Sequence, residues 1–256
     1  MKIKKILLGC AIGLVLLFVL ALFVVAFFLD GIVKTGVETV GPRIVQVPVT
    51  LESIHIGILS GSAKVKGLVL GNPAGYKTPN AVSVGLAEVS VDVASALSDK
   101  IVIHSIHVEA PEITFEGGLR DNNLFKIRDN LTAGAATSPN APTAAGAKSA
   151  KKIEVDDFLI TNAVVHLNFT GLGGLKKDLR LPAIHLTDLG KGDAGMTPAE
   201  LTAKIIGAIT TSTIQEVTDA VTNLGKGAAD LGKGAGKAAG NAIKNVTSGL
   251  GGLFQK

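Results

Sequence analysis

The sequence has no tryptophan, one tyrosine and one cysteine, and aromatic residues make up only 4% of it. Without large aromatic side chains, a site built on base stacking is not expected. The single cysteine, Cys10, excludes an intramolecular disulfide and a thiolate metal cluster. Charge is sparse as well, at 18% of residues, and the net +4 misleads as one figure. Lys2, Lys4 and Lys5 sit at one end, Lys226, Lys233, Lys237, Lys244 and Lys256 at the other, and the stretch between is net acidic. No basic stripe crosses it, so no nucleic-acid partner is expected. Gly-x-Ser-x-Gly and His-Glu-x-x-His are both missing. The expectation is therefore a non-enzyme without cofactor or metal.

What the chain does have is a long apolar run, Ile6 to Leu29. At ~1.5 Å per residue it would reach roughly 36 Å, enough to cross a bilayer. It ends Ala26-Phe27-Phe28-Leu29-Asp30, a poor cleavage site, so an uncleaved signal anchor is expected rather than a signal peptide. The lysines ahead of it predict a cytoplasmic tip over 1–5, a transmembrane span over 6–29, and a remainder outside the cytoplasm. Ile32, Val33, Val37 and Val40 then predict a short helix stopped at Gly41-Pro42.

Beyond residue 50 the apolar period drops to two. Ile54, Ile56 and Ile58 share one face, as do Val65 and Val69, then Val89 and Val91, then Ile101 and Ile103. The step from Ile103 to Ile106 slips by one, which predicts a bulge. Such alternation predicts an antiparallel sheet with one buried and one solvated face. The apolar residues named are candidates either for a lipid-facing surface or for an ordinary core.

Residues 121–132 read as a helix capped by Asn122 or Asn123. The segment 132–152 is Ala, Gly, Ser, Thr and Pro-rich, the composition of a linker that separates the sheet module 30–131 from its continuation over 153–196. Pro182 predicts an edge or a bulge in a strand over 179–189. Thr197, Pro198 and Glu200 form a helix start signal for an amphipathic helix over 197–222. The tail 223–256 repeats "LGKGAAD" and "LGKGAGK" and carries a heptad-like stripe. Leu224, Leu231, Ile243, Leu250 and Phe254 are its membrane-surface candidates.

Several local patterns carry nothing further. "GAADLGKG" matches the opening of a phosphate-binding loop, but Gly234 stands where Ser or Thr is needed and a helix precedes it. His104 and His107, three apart on a strand, point to opposite faces unless the bulge turns one of them. Asp156-Asp157, with Glu154 and Asp178, reads as a solvated strand end.

The stretches "KVKGLVLGNPAGYKTPNAV", "VSVDVASAL" and "IVIHSIHVEAPEITFEGG" are specific as an ensemble. Together with the anchor, they resemble the N-terminal module of the AsmA family of bacterial envelope proteins, well over 1–131 and loosely over 151–189. The family turn is Asn72, Pro73, Gly75 and Tyr76. Physically it is a turn: Pro73 pre-sets φ and Gly75 permits a positive φ. The resemblance implies an α+β fold: one N-terminal transmembrane helix, then a curved, mostly antiparallel, groove-like sheet with C-terminal helices. It also implies a single-pass inner-membrane protein with its bulk in the periplasm, acting in lipid binding or in outer-membrane assembly and envelope lipid homeostasis. Membrane lipids and other envelope proteins are the partners it implies. The chain is short for that family: about seven strands at ~4.8 Å span roughly 30–35 Å, less than a periplasm. The other expectation is a structural envelope protein whose C-terminal helix binds a membrane or a partner.

Overall fold

Nine strands form around a repeated inward apolar face in the computed structural model, which describes residues 2–136, 151–169, 175–192 and 194–231. The strands are β1 (Val49–Gly57), β2 (Ser62–Gly71), β3 (Asn80–Val91), β4 (Lys100–Glu109), β5 (Glu112–Gly117), β6 (Lys152–Thr161), β7 (Val164–Phe169), β8 (Leu175–Arg180) and β9 (Ile184–Leu189). The helices are α1 (Lys2–Val45), α2 (Asn123–Ala136) and α3 (Pro198–Leu231), with a 3-10 turn at Ala94–Leu97.

All nine strands belong to one sheet, which forks at β3. β1 and β2 lie on one side of β3. On the other side, the C-terminal half of β3 pairs with β4, and Val82 and Ser83 pair with β5. One wing continues β4-β6-β9 and the other β5-β7-β8. The wings part along a corner. Ala110 between β4 and β5 and Asn162 between β6 and β7 both have positive φ, 45° and 55°, and they are neighbours, since Ala110 N–H donates to Thr161 O at 2.9 Å. The strand expected over 179–189 breaks on the same line, with exposed Pro182 between β8 and β9. An interrupted strand lets a sheet turn a corner and enclose a core.

The sheet is mixed: β4/β6 and β5/β7 are parallel and the other pairings antiparallel. Both parallel pairings have the same offset: Lys100 faces Lys152 and Glu112 faces Val164, 52 residues apart each time. Parallel neighbours need a long crossover, and α2 lies in the chain between β5 and β6.

Three strands share a change of pleat. In β2, Val65 faces inward, but so do Leu68 and Leu70. The switch falls at Gly67, whose φ is +61°, and Gly67 faces Gly85 between the pairs Lys66–Leu86 and Leu68–Val84. β1 matches it: Val49 and Leu51 are buried, Glu52 and Ser53 are both exposed, and Ile54 then pairs with Val65. A second irregularity lies at Ser90/Val91, where Val91 pairs with Ile103 and His104 is passed over, as the slip in β4 predicts. Gly67→Ala is expected to cost about 2 kcal/mol or more. A Cβ there would sit 2.6 Å from Glu52 Cβ with φ in the left-handed region. Urea unfolding of the variant checks this.

The expected N-terminal architecture is corrected. Among the described residues no helix is long and apolar enough to cross a membrane. The transmembrane span over 6–29, and the single-pass inner-membrane placement that rested on it, are therefore withdrawn. The apolar run is the first part of one continuous helix that extends to Val45, with Asp30, Lys34, Glu38 and Arg43 in its later turns. Nor does the helix stop at Gly41-Pro42. Pro42 lies inside its last turns, and the end comes at Gln46, with φ 54°, whose N–H donates to Pro42 O at 2.9 Å. Only one helical N–H is lost at a proline, and packing on β1 holds the turn around it: a Cβ on Gly41 would touch Val49 at 3.2 Å.

The signals at the other helix starts hold. Phe125 N–H donates to Asn122 Oδ1 at 2.9 Å, so Asn122 caps α2. Thr197 N–H donates to Glu200 Oε2 at 2.7 Å and Glu200 N–H to Thr197 Oγ1 at 3.2 Å, a reciprocal capping box on α3. Leu201, Ile209, Ile214, Val217 and Val221 of α3 are buried among Ile113, Phe115, Val155, Phe158, Ile160 and Val165 of the wings.

Candidate functional site

The first half of α3 does not seal onto the sheet. Between them lies a cavity of about 300 Å³. Its floor is Val65, Leu68 and Leu70 from β2, Val82, Val84, Ala87 and Val89 from β3, and Ile106 and Val108 from β4. Pro111, Ile113, Phe158 and Ile160 wall it along the wings, and Ile205, Ile206 and Ile209 of α3 roof it. Thr202 is the only lining side chain with a polar atom, and none is ionisable. Alternation brings the strand residues to one face, and the pleat switch at Gly67 keeps Leu68 and Leu70 on it. The roof follows from helical spacing at 202, 205, 206 and 209.

Of the candidates read from the strands, Val65 and Val89 line this cavity. Ile103 packs against the core beside it. Ile54 and Ile56 pair with Val65 and Ala63 on β2 and are half-buried. Ile58, Val91 and Ile101 are half-buried outside the cavity lining. Val69 falls between the inward Leu68 and Leu70 and so points to the other face, which corrects its pairing with Val65. Simple period-two extrapolation does not reach the floor residues Leu68, Leu70, Val82 and Val84. The isolated glycines 67 and 85 inside strands were the available signal. Leu224 and Leu231 belong to the last turns of α3, whose side chains lie outside the described residues; Ile243, Leu250 and Phe254 lie outside them entirely.

At the end of β2 the turn bearing Asn72, Pro73, Gly75 and Tyr76 is locked by a polar network. Asn72 Nδ2 donates to Thr78 O at 2.8 Å and Thr78 Oγ1 at 2.6 Å. Asn123 Nδ2 donates to Asn72 Oδ1 and to Thr114 O, both at 2.7 Å, and Asn123 Oδ1 accepts from Glu116 N–H at 3.0 Å. The Glu116 carboxylate accepts from Lys77 N–H at 2.7 Å, Thr78 N–H at 2.8 Å and Thr78 Oγ1 at 2.5 Å. Burial raises the pKa of Glu116, but these bonds, the Thr78 hydroxyl first, outweigh it and hold the carboxyl below 4.5. Gly75 has φ 99° and Tyr76 is half-buried. Burial, with Asp121 and Glu116 nearby, pushes the Tyr76 phenol up. A polar cleft of about 470 Å³ lies over this turn, with Lys77 and Lys126 balanced by Glu116 and Asp121.

The histidines lie on the outer face, each on an acidic partner: His55 on Asp30 (3.3 Å), His104 on Asp156 (3.2 Å), His107 on Glu109 (3.5 Å), His166 on Asp178 (2.9 Å) and His185 on Asp157 (2.5 Å). No group of three or more candidate metal ligands occurs among the described residues. Neither a family model nor a curated protein matches the chain.

Proposed function

We propose that this protein binds lipid acyl chains without catalysing a reaction on them, as an AsmA-like protein of the bacterial envelope. The observation that carries this reading is the 300 Å³ cavity between the forked sheet and α3, lined by aliphatic side chains with one phenylalanine and one threonine. A lining with no ionisable group offers nothing to hold or move a proton, and it suits hydrocarbon. At about 30 Å³ per methylene, close to the volume share of one water, the cavity takes roughly ten carbons. Burying them is worth about 8 kcal/mol before association costs, which sets micromolar or weaker affinity.

The test is displacement of a fluorescent fatty acid from the purified protein, with mass spectrometry of its organic extract. Saturable binding of a medium-length chain is expected. Val89→Phe combined with Ile206→Phe fills the cavity and is expected to weaken binding ten-fold or more while leaving the unfolding midpoint unchanged or higher. Equal binding by the filled variant would refute the assignment.

A further inference from the structure

We infer that the cavity takes the methyl end of a chain and leaves the ligand's polar head in water, at a mouth between β2 and the early turns of α3. This rests on the acyl-chain reading and adds which end of the ligand enters, where it enters, and what is recognised. Exposure is graded across the lining. Ile113, Phe158, Ile160, Ile206 and Ile209 are buried. Val65, Leu68 and Leu70 on β2 are half-buried, and so are Thr202 and Ile205 on α3. The cavity is therefore blind toward the wings, where α3 packs on β6, β8 and β9, and open along β2.

The blind part has nothing to receive a polar group. Thr202 carries the only polar side-chain atom of the lining, and its hydroxyl donates to Pro198 O at 2.8 Å. The floor's backbone is committed to the sheet: Leu68 pairs with Val84, Leu70 with Val82, and Val82 in turn with Ile113. A hydroxyl or carboxyl drawn into the blind part would give up its water and find no partner. A terminal methyl has no such bonds to lose, and its burial is favourable. The chain therefore enters methyl first. The mouth offers the head no charge to pair with, because no lining side chain is ionisable. A head that stays in water is solvated alike in the free and bound states, so its solvation cancels from the affinity. The site thus selects on the far end of the ligand and is indifferent to the near end. Carboxylate, alcohol and phosphocholine heads on one chain are equivalent to it.

The experiment titrates the full chain with decanoate, decanol, decylphosphocholine and the decanediol that carries a hydroxyl at each end. The first three are expected to bind within about three-fold of one another, and the diol at least about 30-fold more weakly than decanol. Ile205→Lys and Leu68→Lys, on the two sides of the mouth, each place an ammonium where the head would lie. Either is expected to favour decanoate over decanol by about three-fold, a preference that salt removes. Two variants on facing elements keep this arm decisive if one of them disturbs folding, which circular dichroism checks. Decanoate held about ten-fold or more tighter than decanol by the native protein would reveal a cation at the head and overturn the inference. Equal binding of the diol and decanol, or no change of preference in either lysine variant, would overturn it while leaving the acyl-chain reading in place. Binding of none of the four removes the acyl-chain reading itself, and the inference with it.

Discussion

Asn123→Ala is expected to lower stability by about 4 kcal/mol, seen as a large fall in the urea midpoint. Asn123 is fully buried and uses both ends of its amide to bind three groups on two segments: Asn72 on the turn, and Thr114 O and Glu116 N–H on β5. Alanine leaves two acceptors and one donor without it in a site closed to water. Each orphaned group costs about 1–3 kcal/mol, and the side chain's packing is lost as well. Asn72→Ala removes only one partner of Asn123 and is expected to cost less. The double variant should fall short of the sum, because the two amides share a bond. Additive losses would mean that Asn72 and Asn123 act separately.

Glu116→Ala is expected to cost about 3 kcal/mol at neutral pH, since it strands two backbone N–H groups and a hydroxyl that now meet a carboxylate. Glu116→Gln serves for the pH dependence. The folded carboxyl titrates below its ordinary value of 4.5. Its contribution is therefore fully present above that unfolded value and is lost as pH falls through the lower folded value. The stability gap between the native protein and Glu116→Gln should be constant near neutrality and shrink below about pH 4. A gap that is the same at pH 3 and pH 7 would show that the charge on Glu116 does not hold the turn.

The strands were legible where alternation is local. The slip between Ile103 and Ile106 shows in the sequence as a break of period, and the Asn122 and Thr197–Glu200 caps follow from local residue type. Three things were not legible, each for a physical reason. A period of two cannot register a change of pleat, so it assigns Val69 to the face that Leu68 and Leu70 in fact occupy. Gly41-Pro42 predicts a helix stop, but tertiary contact with Val49 outweighs one lost hydrogen bond. Asn123 looked like a possible cap, and nothing in its neighbours in sequence discloses that Asn72, 51 positions away, shares its amide. The cavity was half legible: its strand face followed from alternation, while its roof depends on where α3 lies.

The shared offset of β4/β6 and β5/β7 has an architectural consequence. A strand, a left-handed corner residue and a second strand recur in register, Lys100–Gly117 beside Lys152–Phe169, so this L-shaped ribbon is a stackable unit. A further copy laid on the open edge would lengthen the trough without altering its cross-section, as repeats do in solenoids. β8 and β9 prevent that. They cross the stack in the reverse direction, one on each arm, and occupy the hydrogen-bonding edge that another ribbon would need. Trough length in this architecture is therefore set by how many ribbons precede the reversing pair, and this chain closes after two.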